Sequence, residues 1–120
     1  MANIDDLCGL YPQILAPLGT EGFECDDGWY WLVENLCKML QHCADNGQPQ
    51  AVVWCVKEKW GKLAVYADNT TAEMDAVIDF AECLSESICE RCGNTSATQN
   101  EHGYIVTLCD TCRLAHDGKK

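Results

Sequence analysis

Positive charge is scarce in this chain. Against 19 Asp and Glu stand only 8 Lys and Arg among 120 residues, a formal net charge of −11. A field of that sign repels a phosphate backbone, which argues against nucleic acid as the main partner. Long apolar runs are missing too. No stretch approaches the length of a membrane span, so none is expected. The start, Met1-Ala2-Asn3-Ile4-Asp5-Asp6, has neither a basic cluster nor an apolar run, and does not read as a signal peptide. Histidine is sparse, with His42, His102 and His116 scattered. The phosphate-cradling glycine loop, the nucleophile elbow and the His-Glu-x-x-His run are absent. A hydrolytic metal site or a deaminase needs His or Glu beside its metal at recognisable spacing. Enzymatic chemistry is therefore not expected.

Cysteine is the exception, with 10 residues. In an exported chain they would suggest a disulfide frame. With no export signal in view, a reducing, cytoplasmic setting is expected, with four cysteines on a metal and six free. Cys8, Cys25, Cys37, Cys43, Cys55 and Cys83 are then expected to act mostly as small buried hydrophobes, a second metal site being the alternative.

The four metal candidates are Cys89, Cys92, Cys109 and Cys112. Two Cys-x-x-Cys pairs at this separation are the pattern of a four-thiolate zinc site. Two residues between cysteines let a tight turn aim both sulfurs at one point, and Gly93 lets the chain leave that turn. A polar loop over Asn94–Asn100 follows. Tyr104 to Leu108 alternates and reads as a strand delivering the second pair. Arg113-Leu114-Ala115-His116 is weakly helical. A helix starting at the second cysteine pair would turn free N–H groups toward the thiolates. Knuckle, hairpin and helix together make a treble-clef or zinc-ribbon-like module. One zinc with four protein thiolates has a closed shell, so it is expected to be structural. Such sites bind with about 10–16 kcal/mol, enough to decide whether residues 89–116 fold at all. His116 is a spare ligand on spacing alone, but with four cysteines available it is expected at the surface.

The expected fold class is α+β: helices packed on a β-hairpin, followed by the zinc module. An acidic body spans 1–87, the module 88–116 and a tail 117–120. Helices are expected over about 3–17, 28–45 and 71–88, and a hairpin over about 51–67. Asn3 caps the first helix, whose apolar face is Leu7, Leu10, Ile14 and Leu15, and Pro12 and Pro17 shorten or break it. An acidic loop follows, with Glu21, Glu24, Asp26 and Asp27. Asp26 or Asp27 caps the second helix and Asn46-Gly47 stops it before Pro49. Trp29, Leu32, Val33, Leu36, Cys37, Leu40 and Cys43 keep helical spacing and define its buried face. In the hairpin, Val52, Trp54 and Val56 alternate with Val53 and Cys55, and Gly61 supplies the turn. Thr70 with Glu73 makes a capping box for the third helix. Met74, Val77, Ile78, Ala81, Leu84, Ser85 and Ile88 face inward, and this helix runs directly into Cys89.

Three surface features are candidates for partner contact. Trp31 falls with Asn35, Lys38 and His42 on the polar side of its helix, either covered by the N-terminal segment or exposed as an anchor. Asp75, Asp79, Glu82 and Glu86 form a carboxylate stripe without interleaved lysine, either answered by the hairpin lysines or kept for a basic partner. Lys57, Lys59, Trp60 and Lys62 gather at the hairpin tip, either a solvated turn or a contact for phosphate and bases.

Gly22-Phe23-Glu24-Cys25 with Gly28-Trp29-Tyr30, then Val56 to Leu63, then Ile88 to Gly93, then Thr107 to Asp110, resemble the blocks of a family of small phage and prophage proteins with a C-terminal zinc-binding module. The resemblance covers most of residues 11–113. It implies a phage context and an intracellular setting, and it carries over no catalytic residue. Three functional expectations follow. One is a binding protein that inhibits or redirects a host protein with a basic surface, an anti-CRISPR or anti-restriction inhibitor being an instance. Its carboxylates would imitate phosphates. The second is a nucleic-acid-binding zinc module using Lys59, Trp60, Lys62, Arg91, Arg113, Lys119 and Lys120. An accessory role in phage assembly or replication is the third.

Overall fold

The computed structural model describes residues 3–18, 22–100 and 103–117. Glu21, His102, Lys119 and Lys120 lie outside them. The architecture is α+β, with two antiparallel hairpins and helices on one side of the larger one.

The N-terminal segment is not one helix. Asn3 Oδ1 accepts from the Asp5 amide at 2.9 Å and starts a 3-10 turn over Ile4–Asp6. Helix α1 covers only Leu7–Leu10, and a second 3-10 turn covers Ala16–Leu18. Pro12 and Pro17 lack the amides that a continuous helix needs. Ile4, Leu7, Ile14, Leu15 and Leu18 are buried, whereas Leu10 is exposed, contrary to the expected apolar face. The Val53 amide donates to the Ile14 carbonyl at 2.7 Å, which straps this segment to the sheet.

Helix α2, Tyr30–Asp45, follows a 3-10 turn over Asp27–Trp29. The expected apolar set is buried from Trp29 to Cys43. Neither Asp26 nor Asp27 makes a side-chain cap. Asp27 Oδ1 is taken instead by the Ile4 amide at 2.8 Å. The helix stops at Asn46, with Gly47 at φ +100°.

Strands β1 (Val52–Lys59) and β2 (Lys62–Asp68) pair antiparallel. Their two-residue turn holds Trp60 at φ +56° and Gly61 at φ +79°, the backbone signature of a type I′ hairpin. The expected alternation of β1 is broken by a bulge between Val53 and Cys55. The extra residue puts Val53 and Val56 on the same buried face, where strict alternation would have opposed them. Trp54 is left outside, packed on Tyr66 with ring centroids 5.3 Å apart. Lys57 Nζ lies 5.5 Å above the same Tyr66 ring. Along the outer edge of β1, Glu24 makes a parallel bridge, its amide donating to Val56 and its carbonyl accepting from Glu58.

Helix α3, Ala72–Ser85, packs against α2 and β2. Its cap is Thr71, not Thr70: Thr71 Oγ1 accepts from the Met74 amide at 3.2 Å. Glu73 therefore closes no capping box and accepts from Gln48 Nε2 at 3.0 Å. The helix ends at Ser85, and a turn, not a continuous helix, leads to Cys89. Among the six remaining cysteines only Cys37 and Cys43 are buried. Cys8, Cys25 and Cys55 are half-buried, and Cys83 is exposed on the outer side of α3. Burial still pushes the Cys25 thiol well up and that of Cys37 to about 12. Among the described residues no helix is long and apolar enough to cross a membrane.

Candidate metal centre

After Ile88 the backbone folds a tight knuckle. The Gly93 amide donates to the Cys89 carbonyl at 2.8 Å, and the Cys92 amide points at Cys89 Sγ at 3.5 Å. Gly93 takes φ +84°, which lets the chain turn away. Strand β3 (Thr98–Gln99) pairs with β4 (Thr107–Leu108), so the strand expected over Tyr104 to Leu108 is only two residues long. The Val106 amide bonds Asn100 Oδ1 instead, and Tyr104 is exposed. Helix α4, Asp110–Asp117, begins one residue after Cys109 and carries Cys112 in its first turn.

This brings Cys89, Cys92, Cys109 and Cys112 together, with their sulfurs all within 4.8 Å of one another. Cys92 Sγ and Cys109 Sγ are 3.6 Å apart. A tetrahedral centre with metal–sulfur bonds of about 2.3 Å sets sulfurs about 3.8 Å apart, so the donor set fits a metal ion. All ten cysteines are free thiols. Burial pushes the Cys89 thiol up, but backbone N–H groups of Cys109, Cys92 and Arg91 outweigh it and bring it down to about 6. Burial, then contact with the other three thiols, holds Cys112 up at about 12. His116 is not in the cluster. It is half-buried rather than at the surface, and its Nδ1 is buried without a hydrogen-bond partner.

Two glycines seat the centre on the body. A Cβ on Gly28 would lie 2.3 Å from the carbonyl oxygens of Cys89 and of Glu90. The Gly28 amide donates to the Glu90 carbonyl at 2.7 Å, and Trp29 Nε1 donates to the Ile88 carbonyl at 2.9 Å. Glu90 closes the joint from its own side, Oε2 accepting from the Asp26 amide at 3.0 Å. Burial pushes this carboxyl up to about 7, against the pull of the Asp26 bond. At the other end, Gly61 sits under the small hairpin: a Cβ there would be 2.8 Å from Ile105 Cγ2. Its carbonyl accepts from Thr107 Oγ1 and from Gln99 Nε2. No sequence signal pointed to these joints beyond the Gly28-Trp29 and Trp60-Gly61 blocks.

The hairpin tip is therefore partly committed. Trp60 stacks on Tyr104 at 5.8 Å, and the Tyr104 hydroxyl donates to Glu58 Oε1 at 2.7 Å. Lys59 and Lys62 face each other across the turn and stay exposed, while Lys57 is half-buried over Tyr66. Arg113 is held by the Thr98 and Leu108 carbonyls, and Arg91 is exposed.

The acidic stripe does not act as one unit. Glu82 Oε2 accepts from the Val65 amide at 2.9 Å, so a backbone group answers it rather than a hairpin lysine. Asp75, Asp79 and Glu86 are exposed. Trp31 is 61% exposed, so the N-terminal segment does not cover it. It lies on a groove with residues absent from the sequence-based candidates, Met39 and Phe80, and with Val77 and Leu84. The phase of Met39 and Phe80, off the buried faces of α2 and α3, was the available signal, while Val77 and Leu84, expected to face inward, are half-buried at this groove. Comparison of the chain with known protein families, with curated proteins and with solved structures finds no match.

Proposed function

We propose that this chain is a zinc-stabilised binding protein without chemistry of its own, which engages a partner with a basic surface through α2 and α3. The observation that carries this reading is one of composition and exposure combined. Trp31 and Phe80, 61% and 65% exposed, project from two helices that hold, besides the Glu82 tied to the Val65 amide, five carboxylates and a single lysine, Lys38. Exposed aromatics are the usual anchors of an interface, and the surrounding charge steers a cationic partner toward them.

Zinc is the ion we assign to the cysteines, because four thiolates at tetrahedral spacing are its preferred structural shell. The order knuckle, hairpin, helix, with Cys112 on the helix, favours a treble clef over a ribbon. A closed shell leaves no position for an activated water, so the metal's role is to hold the module. The phage resemblance makes a host defence protein, bound in an anti-CRISPR-like or anti-restriction manner, the partner class to test first.

The test is capture from host lysate by tagged protein, with nuclease present. The variant combines Asp75→Lys, Asp79→Lys and Glu86→Lys and leaves Glu82 to cap β2. Loss of a discrete, nuclease-resistant partner supports the reading; undiminished capture by the folded variant overturns it. The second reading, a nucleic-acid contact, is favoured by one observation: the exposed Trp60–Tyr104 stack beside Lys59 and Lys62. It requires Lys59→Glu with Lys62→Glu to weaken oligonucleotide binding and flatten its salt dependence.

A further inference from the structure

We infer that the solvent face of the large hairpin takes single-stranded nucleic acid; this rests on the second reading above and extends that contact from the turn to the whole face. The strand register defines the face. Cys55 pairs with Tyr66, Lys57 with Ala64 and Lys59 with Lys62, so these side chains share one side of the sheet. The alternate residues Val56, Leu63 and Val65 are buried on the other side. Trp54, set out by the bulge, packs on Tyr66 and is 48% exposed. One end of the face is thus a pair of rings and the other a pair of lysines. Lys57 stands between them, opposite the small side chain of Ala64. Past the lysines, at the turn, Trp60 is exposed and backed on one side by Tyr104.

Two observations select the ligand. Lys59 and Lys62 are directly opposed across the strands, an arrangement in which like charges destabilise a sheet. The chain has 19 carboxylates to offer, yet among the described residues neither ammonium group makes an ion pair or a hydrogen bond. Glu58, their neighbour, is turned away and holds the Gly61 amide and the Tyr104 hydroxyl. An anion from outside would relieve that repulsion. The second observation is the rings at both ends of the lysines. Aromatic faces interleaved with cations match a ligand that carries both planar rings and regular negative charge, and single-stranded nucleic acid does so. An acidic peptide offers the charge without the rings. In a duplex the bases stack on one another and are withheld from Trp54 and Tyr66. Carboxylates border the face: Glu24 bridges to Lys57 on one edge, Asp68 ends β2, and Asp75 and Asp79 line a hollow with Tyr66. They and the net charge oppose long-range attraction, so the contact depends on stacking at close range. Glu24 supplies a test of sign.

The probe is a short fluorescein-labelled oligothymidylate, read by anisotropy against the metal-loaded full chain at low and high salt. Its competitors are a duplex of the same length and polyglutamate. The single strand is expected to bind and to quench tryptophan fluorescence, with affinity falling as salt rises, and neither competitor is expected to displace it well. Trp54→Leu with Tyr66→Leu keeps apolar side chains on the sheet but removes the rings, and is expected to weaken binding about tenfold. Lys57→Gln is expected to flatten the salt dependence by about one phosphate contact, and Glu24→Gln to strengthen binding. Circular dichroism checks that each variant folds. Should the ring variant fail to fold, Lys57→Gln and Glu24→Gln carry the test, since neither side chain has a hydrogen-bond partner among the described residues. Displacement by polyglutamate or by duplex at equal charge overturns the inference, as does an unchanged affinity on removing the rings. No binding of the single strand overturns both this inference and the second reading. If Lys59→Glu with Lys62→Glu weakens binding while the ring variant and Lys57→Gln do not, the contact at the turn stands and the extended face falls.

Discussion

Among the described residues, the chain between Ile4 and Ile88 buries twenty-one apolar side chains in one cluster, whereas beyond Ile88 it buries four, two of them the cysteines Cys89 and Cys109. A buried leucine or valine contributes about 1.5–3 kcal/mol, so the first region has an apolar core of its own to draw on. Ala97 and Leu108 cannot do this for a segment of such length. Units below about 40 residues usually need a metal or disulfides, and the four clustered cysteines are what this segment offers for one. The two regions thus obtain order from different sources, and the joint at Gly28 makes each a template for the other.

Metal removal should separate them most sharply. Chelation, or Cys92→Ser, eliminates about 10–16 kcal/mol of metal binding. Amide resonances of residues 89–117 should collapse to random-coil positions while those of α2 and the large hairpin stay dispersed. Dispersed Thr107 and Leu108 signals without metal would erase the distinction. Leu40→Ala attacks the other side. Leu40 is wholly buried, and its truncation should cost about 2–5 kcal/mol by urea unfolding, with metal stoichiometry unchanged. A metal content that falls in step would mean that the core and the centre form one unit.

Gly28→Ala probes the joint. Its methyl group meets two backbone carbonyls that cannot rotate away, so a loss near the upper end of about 1–3 kcal/mol is expected, together with faster metal release to a chelator. Unchanged release would show that the knuckle does not lean on the body. The smallest effect is local: Thr71→Ala removes the α3 cap and should cost about 1 kcal/mol, while Thr70→Ala should cost almost nothing. The reverse order would restore the capping box read from the sequence.

What the sequence made legible follows the range over which each feature is encoded. The four-cysteine cluster was readable because spacing alone encodes a Cys-x-x-Cys turn. Helix α2 was readable because its apolar residues keep the helical period from Trp29 to Cys43. Where two neighbours fit one rule equally well, the reading slipped: Thr70 and Thr71 both suit an N-cap, and geometry chose the second. The β1 alternation failed at Val53 because a bulge leaves no mark in a run of apolar residues. The seat of Gly28 on Cys89 and Glu90 was invisible, since it joins distant positions through the absence of a side chain. Whether Trp31 was covered depended on the course of the N-terminal segment, which Pro12 and Pro17 broke up without aiming.

The Val65 and Leu63 amides on the outer edge of β2 donate to Glu82 and to Ser85 Oγ, and the outer edge of β1 is taken by Ile14 and Glu24. A two-stranded sheet would ordinarily offer two unpaired borders on which a foreign strand could grow. Here side chains and loops occupy the groups that such growth would use. The sheet is closed to recruitment at those positions, and the chain is guarded there against fibre-like stacking when crowded. Glu82 is thus lost to electrostatic display but gained as an aggregation gatekeeper.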